Sequence, residues 1–160
     1  MKLIPLTRGY VALVDDEDYE RTIGAGKWTA LVCKNAVYAH RKTPIERKTI
    51  LLHRFLLGVT DARTDVDHKN GNGLDCQRSN LRKATRGQNN ANRRRFRGAS
   101  PYKGVFKNHL RWSARIYVDY RKVPLGNFMT QEEAARAYDA AATEHFGEFA
   151  CLNFPAEVTQ

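Results

Sequence analysis

From Arg111 to Val118 the chain alternates without a break: Arg111, Ser113, Arg115 and Tyr117 on one side, Trp112, Ala114, Ile116 and Val118 on the other. Successive side chains of a strand point to opposite faces, so this segment is predicted to be a strand with one arginine-bearing face and one apolar face. From Tyr102 onward the pattern is that of three strands and a helix, with a third strand fitting Lys122 to Phe128. Thr130 then stands where an N-cap belongs and Glu133 where its capping-box partner belongs. Ala134, Tyr138, Ala141, Ala142 and His145 follow at helical spacing, and Gly147 ends the helix. The apolar sheet face would pack on this alanine-rich helix and leave the arginine face open. Trp112 shares a face with Ile116 and Val118, so it and Tyr138 are expected in the core.

Charge sharpens the division. Residues 1–80 hold 13 Lys/Arg against 10 Asp/Glu, residues 81–122 hold 13 against 1, and residues 123–160 hold 1 against 6. A basic block of this kind suits a polyanion, because each phosphate it neutralises releases condensed counterions. Between Leu81 and Ser100 lie Arg82, Lys83, Arg86, Arg93, Arg94, Arg95 and Arg97 with no acid among them. Like charges at i,i+4 repel along a helix. The tract after Asn92 is therefore expected to order on DNA and to tether two modules to one duplex.

No run of about 18 apolar residues appears, so no membrane span is expected. The N-terminal MKLIPLTRGY lacks the apolar stretch of a signal peptide, which points to the cytoplasm. Cys33, Cys76 and Cys151 are far apart and form no CxxC, so neither a disulfide framework nor a cysteine-rich zinc site is indicated.

Residues 1–57 read as short strands and turns, with VALVDDEDYE passing from an apolar run into an acidic cluster and a hairpin around Lys34-Asn35. Thr49 to Gly58 reads as a short buried helix ending at the glycine. Asp67 to Arg82, dense in Gly and Asn, reads as a long loop between two short strands. Thr85 with Gln88 has the form of a capping box, opening a helix that carries Asn89 and runs into the arginine tract; Gly98 to Pro101 would be a linker.

One constellation carries chemistry. His68 has the residue type of a general base, since imidazole titrates near neutrality. Asp67 and Asn89 offer the hard oxygens that Mg²⁺ or Mn²⁺ prefers. On residue types alone, an Asp-His pair in a Gly/Asn-rich loop is more often a turn than a site.

The stretches LLHR (Leu51–Arg54), VDHKNGNGLDCQRSNLR (Val66–Arg82) and QNN (Gln88–Asn90) resemble the HNH endonucleases of phage and intron homing type. Asp-His, then Asn twelve residues on, then Asn nine further, is similar to that family's ββα-metal motif. The resemblance implies His68 as general base, Asn80 as the residue that steadies the loop and orients the base, and Asp67 and Asn89 as ligands of one divalent cation, Mg²⁺ or Mn²⁺. His53, in an apolar segment, is read as a packed structural histidine.

Tyr102 to Pro155 resembles an AP2 domain: Tyr-x-Gly-Val, Trp112 with Ala114 and Ile116, Leu125-Gly126-x-Phe128, EEAARAYDAAA, and the closing Leu152-Asn153-Phe154-Pro155. That resemblance implies a three-stranded sheet on one helix, the sheet lying in the DNA major groove. Plant AP2 domains usually have Arg at the place of Phe106 and Trp at the place of Pro124, so target preference does not transfer.

The sequence thus predicts an α+β protein: a small N-terminal β region with a ββα-metal nuclease module over 1–92, a basic linker over 93–100, and an AP2-like domain over 101–157. The function expected is metal-dependent cleavage of double-stranded DNA, with a non-catalytic DNA-binding regulator on a degenerate nuclease fold as the alternative. DNA contacts are expected from Arg93, Arg94, Arg95, Arg97, Lys103, Lys107, Arg111, Arg115, Tyr117 and Lys122. No protein partner is indicated, and a bacterial or phage source is expected.

Overall fold

The computed structural model describes residues 1–93 and 99–155. It is a mixed α+β protein with antiparallel sheets and a C-terminal helix. The chain divides into two compact units, Met1–Thr85 and Arg86–Gln160.

The first unit begins with antiparallel strands β1 (Lys2–Pro5) and β2 (Val11–Val14). Helix α1 follows, Asp16–Gly24, where only an acidic cluster among strands and turns was expected. Asp16, Glu17 and Asp18 occupy its first turn, where acids complement the positive end of the helix dipole. Its buried residues are Asp18 and Thr22, so no apolar stripe marks it in the sequence.

Strands β3 (Thr29–Val32), β4 (Val37–Lys42) and β5 (Thr49–Leu51) form an antiparallel sheet in that order, with the expected hairpin around Lys34-Asn35. Helix α2 is Leu52–Leu56, shorter than the helix expected from Thr49. The reason is pairing: Thr49, Ile50 and Leu51 are taken into the sheet opposite Lys42, Arg41 and His40. Strands β6 (Asp65–His68) and β7 (Leu81–Ala84) pair antiparallel and bracket the Gly/Asn-rich loop. Ile4, Val14, Trp28, Leu52, Leu56 and Cys76 lie in the core of this unit.

The second unit opens with helix α3 (Arg86–Ala91) and continues with strands β8 (Val105–Asn108), β9 (Arg111–Val118) and β10 (Arg121–Phe128). They form one antiparallel sheet with β9 in the middle. Asp119 and Tyr120, both at positive φ, make the two-residue turn between β9 and β10, the backbone that a tight hairpin requires. Pro124 sits on β10, an edge strand, where its missing N–H does no harm. A register shift between Pro124 and Gly126 lets Leu125 join the core.

Helix α4 (Gln131–Phe146) packs on the sheet. Thr130 Oγ1 accepts from the Glu133 amide at 3.2 Å while the Glu133 carboxylate accepts from the Thr130 amide, so the capping box is complete. Ala134, Ala135, Tyr138, Ala141 and Ala142 are buried, whereas His145 is exposed. Small residues on α4 let the helix lie close to Val105, Ala114 and Ile116. Gly104, at φ +78°, completes that approach, because a Cβ there would fall 2.0 Å from Tyr138 Cδ2. α3 belongs to this unit: it packs on α4 and the turn after it, and the Lys103 ammonium donates to the carbonyl of Ala91.

Candidate nucleic-acid interface

Register places more on the outer sheet face than alternation in β9 alone could show. Residues directly opposite on antiparallel strands share a face. Arg111, Ser113, Arg115 and Tyr117 are therefore joined by Asn108 and Phe106 from β8 and by Lys122, Pro124 and Asn127 from β10.

The face has two halves. In one, Ser113 Oγ donates to Asn127 Oδ1 at 2.6 Å, and Asn108 Nδ2 donates to the same oxygen at 3.4 Å. In the other, the Arg115 guanidinium lies 3.7 Å from the centroid of the Phe106 ring, with the Tyr117 ring at 6.0 Å. Arg115 Nε is buried and makes no hydrogen bond among the described residues. Phe106, Asn108, Pro124 and Asn127 were not in the sequence-based set; the signal that would have found them is the pairing fixed by the two-residue turns at 109–110 and 119–120.

Other expected contacts stand elsewhere. Lys107 is exposed but pairs with Trp112, on the helix-facing side of the sheet. Lys103 lies 5.8 Å from the Tyr138 ring centroid, and burial lowers its pKa below the usual lysine value. Its ammonium serves the end of α3. Arg93 is exposed after α3. Arg94, Arg95 and Arg97 lie outside the described residues.

Asp67 and His68 lie side by side on β6. Asp67 is buried opposite Arg82, and its Oδ2 accepts from Arg82 Nε and Nη2, both at 2.8 Å. His68 is buried with its ring 4.9 Å from that of His53, edge to face, and 6.0 Å from Tyr38. Burial, against the opposing pull of Asp67 and Asp75, brings the His68 pKa down to about 4. Asn80 staples the loop: its Oδ1 accepts from the Asn70 amide at 3.0 Å and its Nδ2 donates to the Asp75 carbonyl at 2.8 Å.

Asp67 supplies one carboxylate whose charge Arg82 already matches, and Asn89 belongs to the second unit. The acidic group Asp15, Glu17 and Asp18 is likewise engaged. Arg78 Nε and Nη2 donate to the two oxygens of Asp18 at 2.7 and 2.8 Å, Arg78 Nε lies 3.2 Å from Glu17, and the Arg78 amide donates to Asp15 at 2.7 Å.

No family model matches the chain. Curated relatives do match part of it. The AP2/ERF and B3 domain-containing protein of rice (Oryza sativa subsp. japonica) is 48% identical over 58 residues, 36% of this chain and 16% of that protein. The AP2-like ethylene-responsive transcription factor ANT of Arabidopsis thaliana is 50% identical over 62 residues, 36% of this chain and 11% of that protein. The ethylene-responsive transcription factor WRI1 of the same plant is 48% identical over 62 residues, again 36% of this chain and 14% of that protein. The chain thus spans less than a fifth of the length of these relatives.

These relatives overturn the expectation of a DNA-cutting enzyme. They include transcription factors, a class of regulator and not of hydrolase, and they are plant proteins where a bacterial or phage source was expected. Among the described residues no helix is long and apolar enough to cross a membrane.

Proposed function

We propose that the chain is a non-catalytic, sequence-specific DNA-binding regulator that lays the outer face of the β8–β9–β10 sheet in the major groove of double-stranded DNA. The observation that carries this reading is the coincidence of two findings. About a third of the chain is 48–50% identical to AP2-type proteins, transcription factors among them. A three-stranded sheet on one helix, the architecture that the AP2 resemblance implies, presents Arg111, Ser113, Arg115, Tyr117 and Lys122 on one uncovered face. The B-DNA major groove, about 12 Å across, is wide enough to admit β-strands. Arg111 and Arg115 are the base readers, because a guanidinium can donate twice to guanine O6 and N7. Lys122, Arg93 and the tract Arg94, Arg95 and Arg97 meet phosphates. In the first unit, Asp67, His68 and Asn80 shape the 69–80 loop.

The test is selection of sites from a random duplex pool with the full chain, followed by titration of the recovered site at several salt concentrations. Arg115→Ala should lose about 1–3 kcal/mol and relax one position, while Lys122→Gln should weaken all sequences alike. Supercoiled plasmid incubated with Mg²⁺ should be shifted and remain supercoiled. Recovery of no preferred sequence, or strand scission that follows the protein through purification, refutes the reading.

A further inference from the structure

Phe106 puts an aromatic ring on a face rich in hydrogen-bonding side chains, and that ring is used: the guanidinium carbon of Arg115 lies over it, 3.7 Å from its centroid. Phe106 and Arg115 are diagonal neighbours, since Phe106 is opposite Ser113, two residues before Arg115. Pro124 is exposed and directly opposite Arg115 on the other neighbouring strand.

A guanidinium that donates twice to guanine lies in the plane of that base. Its two flat faces then look along the duplex toward the neighbouring base pairs. The ring covering one of those faces is 3.7 Å away, close to the spacing of about 3.4 Å between bases along one strand. Phe106 therefore stands level with the major-groove edge of the adjoining pair. The apolar group offered at that edge is the C5 methyl of thymine, or of 5-methylcytosine.

We propose that Phe106 is a specificity residue of this sheet, selecting a C5-methylated pyrimidine, thymine or 5-methylcytosine, beside the guanine that Arg115 takes. The proposal rests on the DNA-binding reading above and adds to it a requirement for one methyl group. It also accounts for Arg115 Nε being buried without a hydrogen bond: the stack holds the side chain in place and leaves its terminal nitrogens for the base.

The experiment uses the full chain and the site recovered from the random duplex pool. The position where Arg115→Ala relaxes the preference marks the guanine. Its neighbour should be thymine. Replacing that thymine by deoxyuracil removes only the methyl and should weaken binding about fourfold, the value of one buried methyl-sized group. Placing cytosine there should weaken binding further, and 5-methylcytosine should recover the fourfold. In Phe106→Ala, thymine and uracil should bind alike while the guanine preference persists. If that variant does not fold, the uracil and methylcytosine duplexes with the unaltered chain decide alone. Equal binding of thymine and uracil duplexes, or a purine or unmethylated cytosine recovered at that position, overturns the role of Phe106 and leaves the DNA-binding reading standing. Recovery of no site at all overturns both.

Discussion

Gly104 offers a test of the second unit that separates backbone from packing. Its φ of +78° disfavours any L side chain, and an added Cβ would lie 2.0, 2.5 and 2.8 Å from three ring atoms of Tyr138. Tyr138 is 4% exposed in the helix–sheet core and cannot swing into solvent without vacating it. For Gly104→Ala the left-handed backbone costs about 1–2 kcal/mol and forcing a methyl into a packed core about 1–3 kcal/mol more, so a loss of roughly 2–5 kcal/mol is expected. Gly147→Ala supplies the control, because Gly147 is also at positive φ, +51°, with nothing within 4 Å of its would-be Cβ. It should lose only the backbone part. The assay is urea unfolding followed by Trp112 fluorescence in a Trp28→Phe background, which makes the second unit the sole reporter. If Gly104→Ala loses no more than about 1–2 kcal/mol, the backbone part alone, the contact between Gly104 and Tyr138 is not what fixes the glycine, and the reasoning fails.

Three further outcomes are expected. Thr130→Ala removes the acceptor for the Glu133 amide and should lower the stability of the second unit by about 1 kcal/mol, read by the same unfolding curve. Arg78→Met strands the Asp18 carboxylate, 2% exposed, and should cost the first unit roughly 2–4 kcal/mol, part of it recovered by Asp18→Asn in the same chain; no recovery would mean that Arg78 acts through something other than that carboxylate. His53 and His68 are held, chiefly by burial, at about 3 and about 4, below the ordinary 6.5, so unfolding takes up protons. Stability of the first unit should be full above about pH 6.5 and fall as pH drops toward 4 and then 3. The first protonation is worth on the order of 3 kcal/mol, and a Trp28 unfolding midpoint that does not move between pH 7 and 4.5 would refute it.

The C-terminal sheet and helix were legible in the sequence because each rule there points the same way. β9 alternates strictly, α4 carries its apolar residues at helical spacing, and Thr130 and Glu133 mark its start. α1 was not legible, because what it buries is Asp18 and Thr22, and a periodicity argument counts apolar residues. The start of α2 was misplaced because Thr49–Leu51 is as apolar as the helix it precedes, and only the partner strand β4 decides between them. The outer face was half read. Arg111, Ser113, Arg115 and Tyr117 lie on one strand and follow from its period, whereas Phe106, Pro124 and Asn127 come from neighbours whose register depends on turn geometry. Lys103 shows the limit of counting charge: its lysine character suggests a phosphate, yet its ammonium is spent on the Ala91 carbonyl.

The Asp67–His68–Asn80 group poses the same difficulty in a sharper form, since its residue types and spacing suit a hydrolytic centre and a structural clasp equally. The surroundings show how the loop is held. The loop from 69 to 80 has hardly any large apolar side chains, so it cannot be held by burial, and the structure holds it by polar contacts at both ends and in the middle. Lys69 and Asn70 amides donate to Asn80, the Leu13 amide donates to the Leu74 carbonyl, and the Cys76 amide donates back to Leu13. Gly73 sits so close to β4 that a Cβ would meet the Val37 carbonyl at 2.5 Å and the Tyr38 ring at 2.6 Å. Tyr38 in turn packs on His53 and His68. The loop thus closes on Tyr38, and Tyr38 on the two histidine rings. A buried ion pair contributes little net stability, but breaking it strands a charge, so it selects one arrangement over its neighbours. That is the service a small unit with a thin core needs from its polar residues.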